Sequence, residues 1–220
     1  MLVLAFDTAT STVTVALYEW FPGDPVKPVA VVAGRDKQRH AEVLSPSIAR
    51  VLAEAGAAPR DLDAVAVGVG PGPYTGLRVG LATADALGNA LRVPVHGVCT
   101  LDAIAWATGR TEPFVVATDA RRREVYWARY DAHDRRATEP AVGPALEAAC
   151  GLPAYGEGAA LYRDVLGEPG EPLLPSAGAI AEIAISRLSG KPGLPLLPAD
   201  PLYLRRPDAQ EIGARKRASQ

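Results

Sequence analysis

The run Leu2-Val-Leu-Ala-Phe6 is almost wholly apolar and stops at Asp7; after a small polar turn, Val13, Val15 and Leu17 alternate with Thr14, Ala16 and Tyr18. A continuous apolar run marks a strand buried on both faces, and alternation marks one with a single buried face. Together they predict a β-hairpin whose inner strand ends in a carboxylate. The pattern recurs at Phe114 to Asp119, where the turn Arg121-Arg-Arg123 leads into a strand from Glu124 to Tyr130. A strand–Asp–turn–strand unit that occurs twice predicts two related lobes.

Between the two units the chain alternates strand and helix signals. Val29 to Val32 can add a third strand. From His40 to Ala55, apolar residues recur at three- and four-residue spacing up to Gly56, which predicts a helix. Ser45-Pro46 interrupts it: either Ser45 caps a shorter helix or a longer one is kinked there. A buried strand at 64–69, a Gly/Pro-rich turn at 70–76, a helix at 77–91 and a strand at 93–98 follow. Further on, short helices are expected at 101–107 and 177–188, in a remainder rich in Gly and Pro. This order predicts an α/β architecture with mixed sheets. The expected division is 1–100 as a first lobe, 101–204 as a smaller second lobe and 205–220 as a basic tail.

Composition limits the function classes. The 220 residues are 48% apolar and 22% charged, enough to build a core without disulfide or metal staples. With 23 basic against 25 acidic side chains, a net charge of −2 excludes a generally basic nucleic-acid coat. Cys99 and Cys150 are too few and too scattered for a disulfide framework or a cysteine zinc site, which fits a reducing compartment. No run reaches the ~20 apolar residues of a bilayer span, and no basic segment precedes residues 2–6. A cytoplasmic protein without a membrane segment is expected.

Few residues could carry chemistry. The turn at 68–76 joins a strand to a helix and suits an anion through unpaired amides. It is neither a P-loop nor a dinucleotide fingerprint, and it is equally a tight turn needing glycine. Gly76, Gly80, Ala84 and Gly88 recur every four residues and leave one helical face nearly bare. Each glycine costs about 1 kcal/mol in a helix, so close approach of another backbone is expected, either this chain's own sheet or a partner's helix. Asp7 and Asp119 could hold a metal or activate a nucleophile across a cleft, or could simply form turns. His40, His96 and His133 show no metal-ligand spacing, so no metal site is expected. Arg121-Arg-Arg123 and Arg215-Lys-Arg217 read as phosphate contacts or as solvated charge.

The segments Leu4-Ala-Phe-Asp-Thr-Ala-Thr10, Arg39-His-Ala-Glu42, Gly70-Pro-Gly-Pro-Tyr-Thr-Gly-Leu-Arg-Val-Gly80, Asp119-Ala-Arg-Arg-Arg-Glu-Val-Tyr126 and Pro201-Leu-Tyr-Leu-Arg205 resemble the bacterial TsaB (YeaZ) family in order along nearly the whole chain. The resemblance implies a two-lobed actin/Hsp70/sugar-kinase-like fold, each lobe a ribonuclease-H-like sheet. It also implies a part in making threonylcarbamoyladenosine beside the anticodon of tRNA. In that reading the chain is a non-catalytic subunit that binds and activates the paralogous transferase TsaD, together with the ATPase TsaE. It would homodimerise when TsaD is absent and meet tRNA only through the complex.

The resemblance places partner contacts at His40, Val43, Leu44, Ile48, Leu52, Gly76, Leu77, Gly80, Ala84 and Gly88. Candidate phosphate-facing residues are Asp7, Thr8, Thr10, Gly72, Thr75, Asp119 and Arg121. No catalytic residue and no cofactor bound by this chain alone are expected, with ATP and magnesium reserved for the complex. Two departures support that expectation. Thr100 and Ile104 stand where the paralogue carries a metal-binding His-x-x-x-His, and neither can replace an imidazole. Asp7-Thr8-Ala9-Thr10 lacks the glycine that ATP-using relatives have in their first phosphate turn. The competing expectation is an active nucleotide-dependent transferase or kinase using Asp7 and Asp119.

Overall fold

A computed structural model describes residues 1–34 and 40–205, without the side chain of His40. In chain order its elements are β1 (Leu2–Asp7), β2 (Val13–Glu19), β3 (Lys27–Gly34), α1 (His40–Glu54), β4 (Ala64–Gly68), α2 (Tyr74–Leu91), β5 (Val95–Val98) and α3 (Thr100–Thr108). The second half continues with β6 (Phe114–Asp119), β7 (Glu124–Ala132), β8 (Arg135–Arg136), β9 (Ala141–Pro144), α4 (Ala145–Ala148), β10 (Ala154–Tyr155), α5 (Glu157–Leu161), α6 (Arg163–Leu166), β11 (Pro169–Gly170) and α7 (Ala177–Leu188).

The first sheet has strand order β3-β2-β1-β4-β5. β1, β2 and β3 form an antiparallel meander, whereas β4 pairs parallel with β1, and β5 parallel with β4, through helical crossovers. The second sheet repeats the plan with β11-β10-β6-β7-β8, and β9 also pairs with β7. There β6 and β7 are antiparallel and β10 and β11 parallel to β6. Each sheet is therefore a ribonuclease-H-like mixed sheet, and the two together form the two-lobed α/β fold expected from the duplicated hairpin.

The apolar run of β1 is buried on both faces as its sequence requires. Leu4 and Phe6 pack with Val65, Val67, Leu44 and Val51 beneath α1 and α2, while Val3 and Ala5 face Ile180 and Ala184 of α7. Helix α7 lies late in the chain yet rests on β1 and β2 of the first sheet. Its Ser176 cap accepts a hydrogen bond from the Ala179 amide (3.1 Å), the kind of contact that fixes a helix start. The final described stretch crosses back as well. Leu197 pairs with Gly97, and the Leu202 amide donates to the Val69 carbonyl (2.9 Å).

Helix α1 continues through Pro46, so it is the longer of the two expected helices and Ser45 does not cap a shorter one. Helix α2 begins at Tyr74, three residues earlier than periodicity indicates, which puts Gly76 inside its first turn. The short strands β8 to β11 and helices α4 to α6 fill the Gly/Pro-rich stretch where no periodic signal was readable. Residues 206–220, including most of the expected basic tail, lie outside the described residues.

Candidate functional site

The cleft between the sheets is built from the turn after β1, the Gly70–Pro73 turn before α2, and the end of β6. Asp7 closes the first turn. One carboxylate oxygen accepts from the Ala9 amide (2.7 Å) and the other from the Thr100 hydroxyl (2.7 Å), at full burial. Thr100 in turn accepts from the Gly70 amide (3.2 Å), so one hydroxyl ties together β1, the glycine turn and α3. A side chain at Gly68 would collide with this carboxylate, its Cβ falling 1.9 Å from the Asp7 oxygen.

The glycine turn sits directly on the first turn. A Cβ at Gly72 would lie 2.0 Å from the Ala9 carbonyl oxygen, and one at Gly80 would lie 2.3 Å from the Thr8 hydroxyl. That hydroxyl donates to the Gly76 carbonyl (2.8 Å). Part of the bare face of α2 is thus explained within the chain: Gly80 lets the helix settle on Thr8, and Gly88 lets it meet Val95. An anion approaching from the first turn would find this space filled by backbone.

On the opposite wall, Asp119 accepts from the Arg121 amide (2.8 Å) and forms an ion pair with the same residue's guanidinium (3.0 Å). Ser11 donates to Glu157 of α5 (3.3 Å), joining the walls. Among the described residues, a cavity of about 20 Å³ between the walls is lined by Ala9, Thr10, Ser11, Pro73, Thr118, Asp119, Arg121 and Glu157. That is room for roughly one water, whereas small-molecule pockets run to about 300–1,000 Å³. Gly158 repeats the packing device in the second lobe, its would-be Cβ 2.9 Å from the backbone of Ala117 and Thr118.

The structure gathers Asp7, Thr8, Thr10, Gly72, Asp119 and Arg121 at this cleft, while Thr75 is exposed in the first turn of α2. The residues expected at partner contacts lie as follows in the isolated chain. Leu44, Ile48, Leu52, Gly76, Leu77, Gly80, Ala84 and Gly88 are buried in the chain's own first lobe, and Val43 packs at its edge. Three- and four-residue spacing identifies a helix's buried face but not what buries it, and here the sheet does. His40 starts α1, and its side chain is among those outside the described residues.

Sequence reasoning missed a second buried group. Asp102, fully buried on α3, accepts from the Tyr130 hydroxyl (2.7 Å) and pairs with Arg136 (3.2 Å), tying α3 to β7 and β8 of the second sheet. Burial pushes its carboxyl up to about 6, against the opposing pull of Arg136 and of the Tyr130 hydrogen bond. Burial likewise raises the neighbouring Cys99 thiol far above its usual range. The readable signal was an acidic residue in the first turn of an otherwise apolar helix.

Residues 31–161 match the family model described as "TsaD: tRNA N6-adenosine threonylcarbamoyltransferase". An Escherichia coli protein named "tRNA threonylcarbamoyladenosine biosynthesis protein TsaB" is 30% identical over 225 residues, covering 93% of this chain and 95% of that one. The chain belongs to the TsaB (YeaZ) family. In agreement, the structure of YeaZ from Pseudomonas aeruginosa superposes with a TM-score of 0.76 at 29% identity, over 92% of this chain and 99% of that one. Uncharacterised mycobacterial relatives are 46% identical. The Mycobacterium tuberculosis protein aligns over 223 residues, 96% of this chain and 94% of its own. The chain spans 57% of the length of its Mycobacterium leprae relative. The family's two-lobed fold is the one described above. Among the described residues, no helix is long and apolar enough to cross a membrane.

Proposed function

We propose that this chain serves the formation of threonylcarbamoyladenosine in tRNA as a non-catalytic subunit, binding and activating a TsaD-type transferase together with a TsaE-type ATPase. The observation that carries the reading is the seat of Gly72 on Ala9, which leaves about 20 Å³ in the cleft where a nucleotide-using relative would need room for phosphate. Asp7 is consumed by Ala9 and Thr100, and Asp119 by Arg121, so neither carboxylate is presented as a base. Thr100, at one position of the paralogue's metal-binding histidines, spends its hydroxyl on Asp7, and Ile104, at the other, is fully buried in the core.

With the glycine face turned inward, the partner surface moves to the outward faces of α1 and α2. Ser45, Pro46 and Ala49 on α1 and Ala82 and Ala86 on α2 are all exposed, and the two helices are neighbours. Small side chains let a partner's helices approach closely. The same face, being present on every copy, would pair two chains when the transferase is absent. ATP and magnesium then act at the assembled complex.

Reconstitution tests the reading. The transferase and ATPase should modify tRNA only when this chain is added, and the chain alone should produce none of the product. Calorimetric titration of the isolated chain with ATP and magnesium should show no tight binding. Turnover by the chain alone would establish the competing transferase or kinase reading instead.

A further inference from the structure

On the side of the first sheet covered by α7, away from the cleft residues, a cavity of about 310 Å³ opens between three elements. Its wall is drawn from Tyr18 of β2, Trp106 and Thr108 at the end of α3, and Ser176, Gly178 and Glu182 in the first turns of α7. Small-molecule sites run to about 300–1,000 Å³, so this one suits a compact ligand.

Two rings and a carboxylate meet here. The Trp106 indole N–H donates to one Glu182 oxygen, Oε2 (2.7 Å), and its ring meets that of His133 edge-on at 5.3 Å, so the indole is held in place. Glu182 is half-buried, yet among the described residues no cation pairs with it and its second oxygen accepts no hydrogen bond. A Cβ at Gly178 would lie 2.6 Å from the Tyr18 hydroxyl, which places that hydroxyl at the cavity wall. It too has no hydrogen-bond partner among the described residues. Burial, and after it the charge of Glu182, raises the Tyr18 pKa above its ordinary value, so the carboxylate is felt at the phenol. The other hydroxyls are in use. That of Thr108 donates to the Ala105 carbonyl (2.7 Å) and accepts from the Arg110 amide (3.2 Å), and the Ser176 oxygen accepts from the Ala179 amide (3.1 Å).

A carboxylate without a counter-charge beside Trp and Tyr rings attracts an organic cation, by charge pairing and by the negative faces of the rings. A neutral or anionic ligand would leave the half-buried carboxylate uncompensated. The remaining acceptors select the cation. A guanidinium fork matches a carboxylate with both oxygens open, and one Glu182 oxygen is held by Trp106. An ammonium is a point charge with three separate donors, which the second Glu182 oxygen and the Tyr18 oxygen can accept. We propose that the Tyr18–Trp106–Glu182 cavity binds a primary alkylammonium group, carried by a small free amine or by a lysine side chain. The site is independent of the function proposed above.

Calorimetric titration of the full chain with n-butylammonium chloride tests this, with n-butanol as the neutral probe and n-butylguanidinium chloride as the forked one. Butylammonium should bind one per chain and at least about tenfold tighter than butanol. Glu182→Gln keeps an acceptor for the Trp106 N–H and should weaken binding at least about tenfold. Tyr18→Phe keeps the ring, removes only the acceptor, and should weaken binding about two- to fivefold, which reads the site even if the Glu182 variant folds poorly. No saturable binding of butylammonium, equal affinity for butanol, or parent affinity in both folded variants overturns the proposal. Tighter binding of butylguanidinium overturns the choice of ammonium. Nα-acetyl-lysine methylamide and putrescine separate the two sources. Capped lysine binding as tightly as butylammonium assigns the charge to a lysine side chain, and putrescine binding alone assigns it to a free amine. Binding of neither overturns the site.

Discussion

Replacing Gly72 by alanine would put a methyl group against the Ala9 carbonyl, a backbone atom with no rotamer to escape into. Overpacking of this kind costs about 1–3 kcal/mol. Gly72→Ala should therefore lower the unfolding free energy by that amount, read from a drop in the urea midpoint, and a wild-type midpoint would show that the two turns are not in contact. The same reasoning turns Gly80 from a partner contact into a folding residue, since a bulky group there strikes Thr8 first. Asp102 supplies a pH signature. Burial pushes its carboxyl up to about 6 in the folded state, against 3.8 for an ordinary aspartate, so the folded chain takes up a proton that the unfolded chain declines. A raised carboxylate makes stability fall as pH rises through this window. Relative to Asp102→Asn, the parent should gain roughly 2–3 kcal/mol between pH 7.5 and 4, read from urea titrations at several pH values. A difference that does not vary with pH would contradict that shift. Asp7, Asp119 and Gly72 were legible in sequence as turn residues. The Thr100 link to Asp7 was not, because 93 positions separate a hydroxyl from its acceptor.

At the scale of elements, period alone located β1, β2, β4, β6 and α7, with α7 matching from Ala177 to Leu188. It failed where pairing, not pattern, makes the strand: β8, β10 and β11 are two residues each, and nothing so short carries a period. Period also showed the buried stripes of α1 and α2 but left open what covers them; in the isolated chain it is the chain's own first lobe, and the partner face proposed above consists of residues too small and mixed to form a stripe. An outward charge discriminates the two roles. Ala82→Arg should leave the stability within about 0.5 kcal/mol of the parent and weaken association with the transferase by at least tenfold on size-exclusion or by calorimetry. Undiminished association would place the partner elsewhere.

Across the whole molecule, the duplicated hairpin revealed two sheets, and the structure adds how they are fastened. Two ties hold them among the described residues: α3 and α7 in the core, and residues 197–205 along the flank of the cleft. The last tie runs from Gly97 past Val69 and Tyr74 to Ala120 and Glu124, spanning both lobes. Ending the chain at Pro201 should lower stability by about 1–2 kcal/mol, roughly 3–6 °C in melting temperature, measured by calorimetry. An unchanged transition would show that the flanking segment only rests on the surface.

Helix α7 has a consequence for how the molecule is made. It covers Val3, Ala5, Ala16 and Tyr18, residues that leave the ribosome first, yet it is itself synthesised some 160 positions later. At 5–20 residues per second, a nascent chain that has finished β5 waits about 4–18 s for the residues that will cover the other side of its sheet. During that interval one apolar flank stands open to water, so the newborn N-terminal half depends on a chaperone, or on speed, to reach α7 unaggregated.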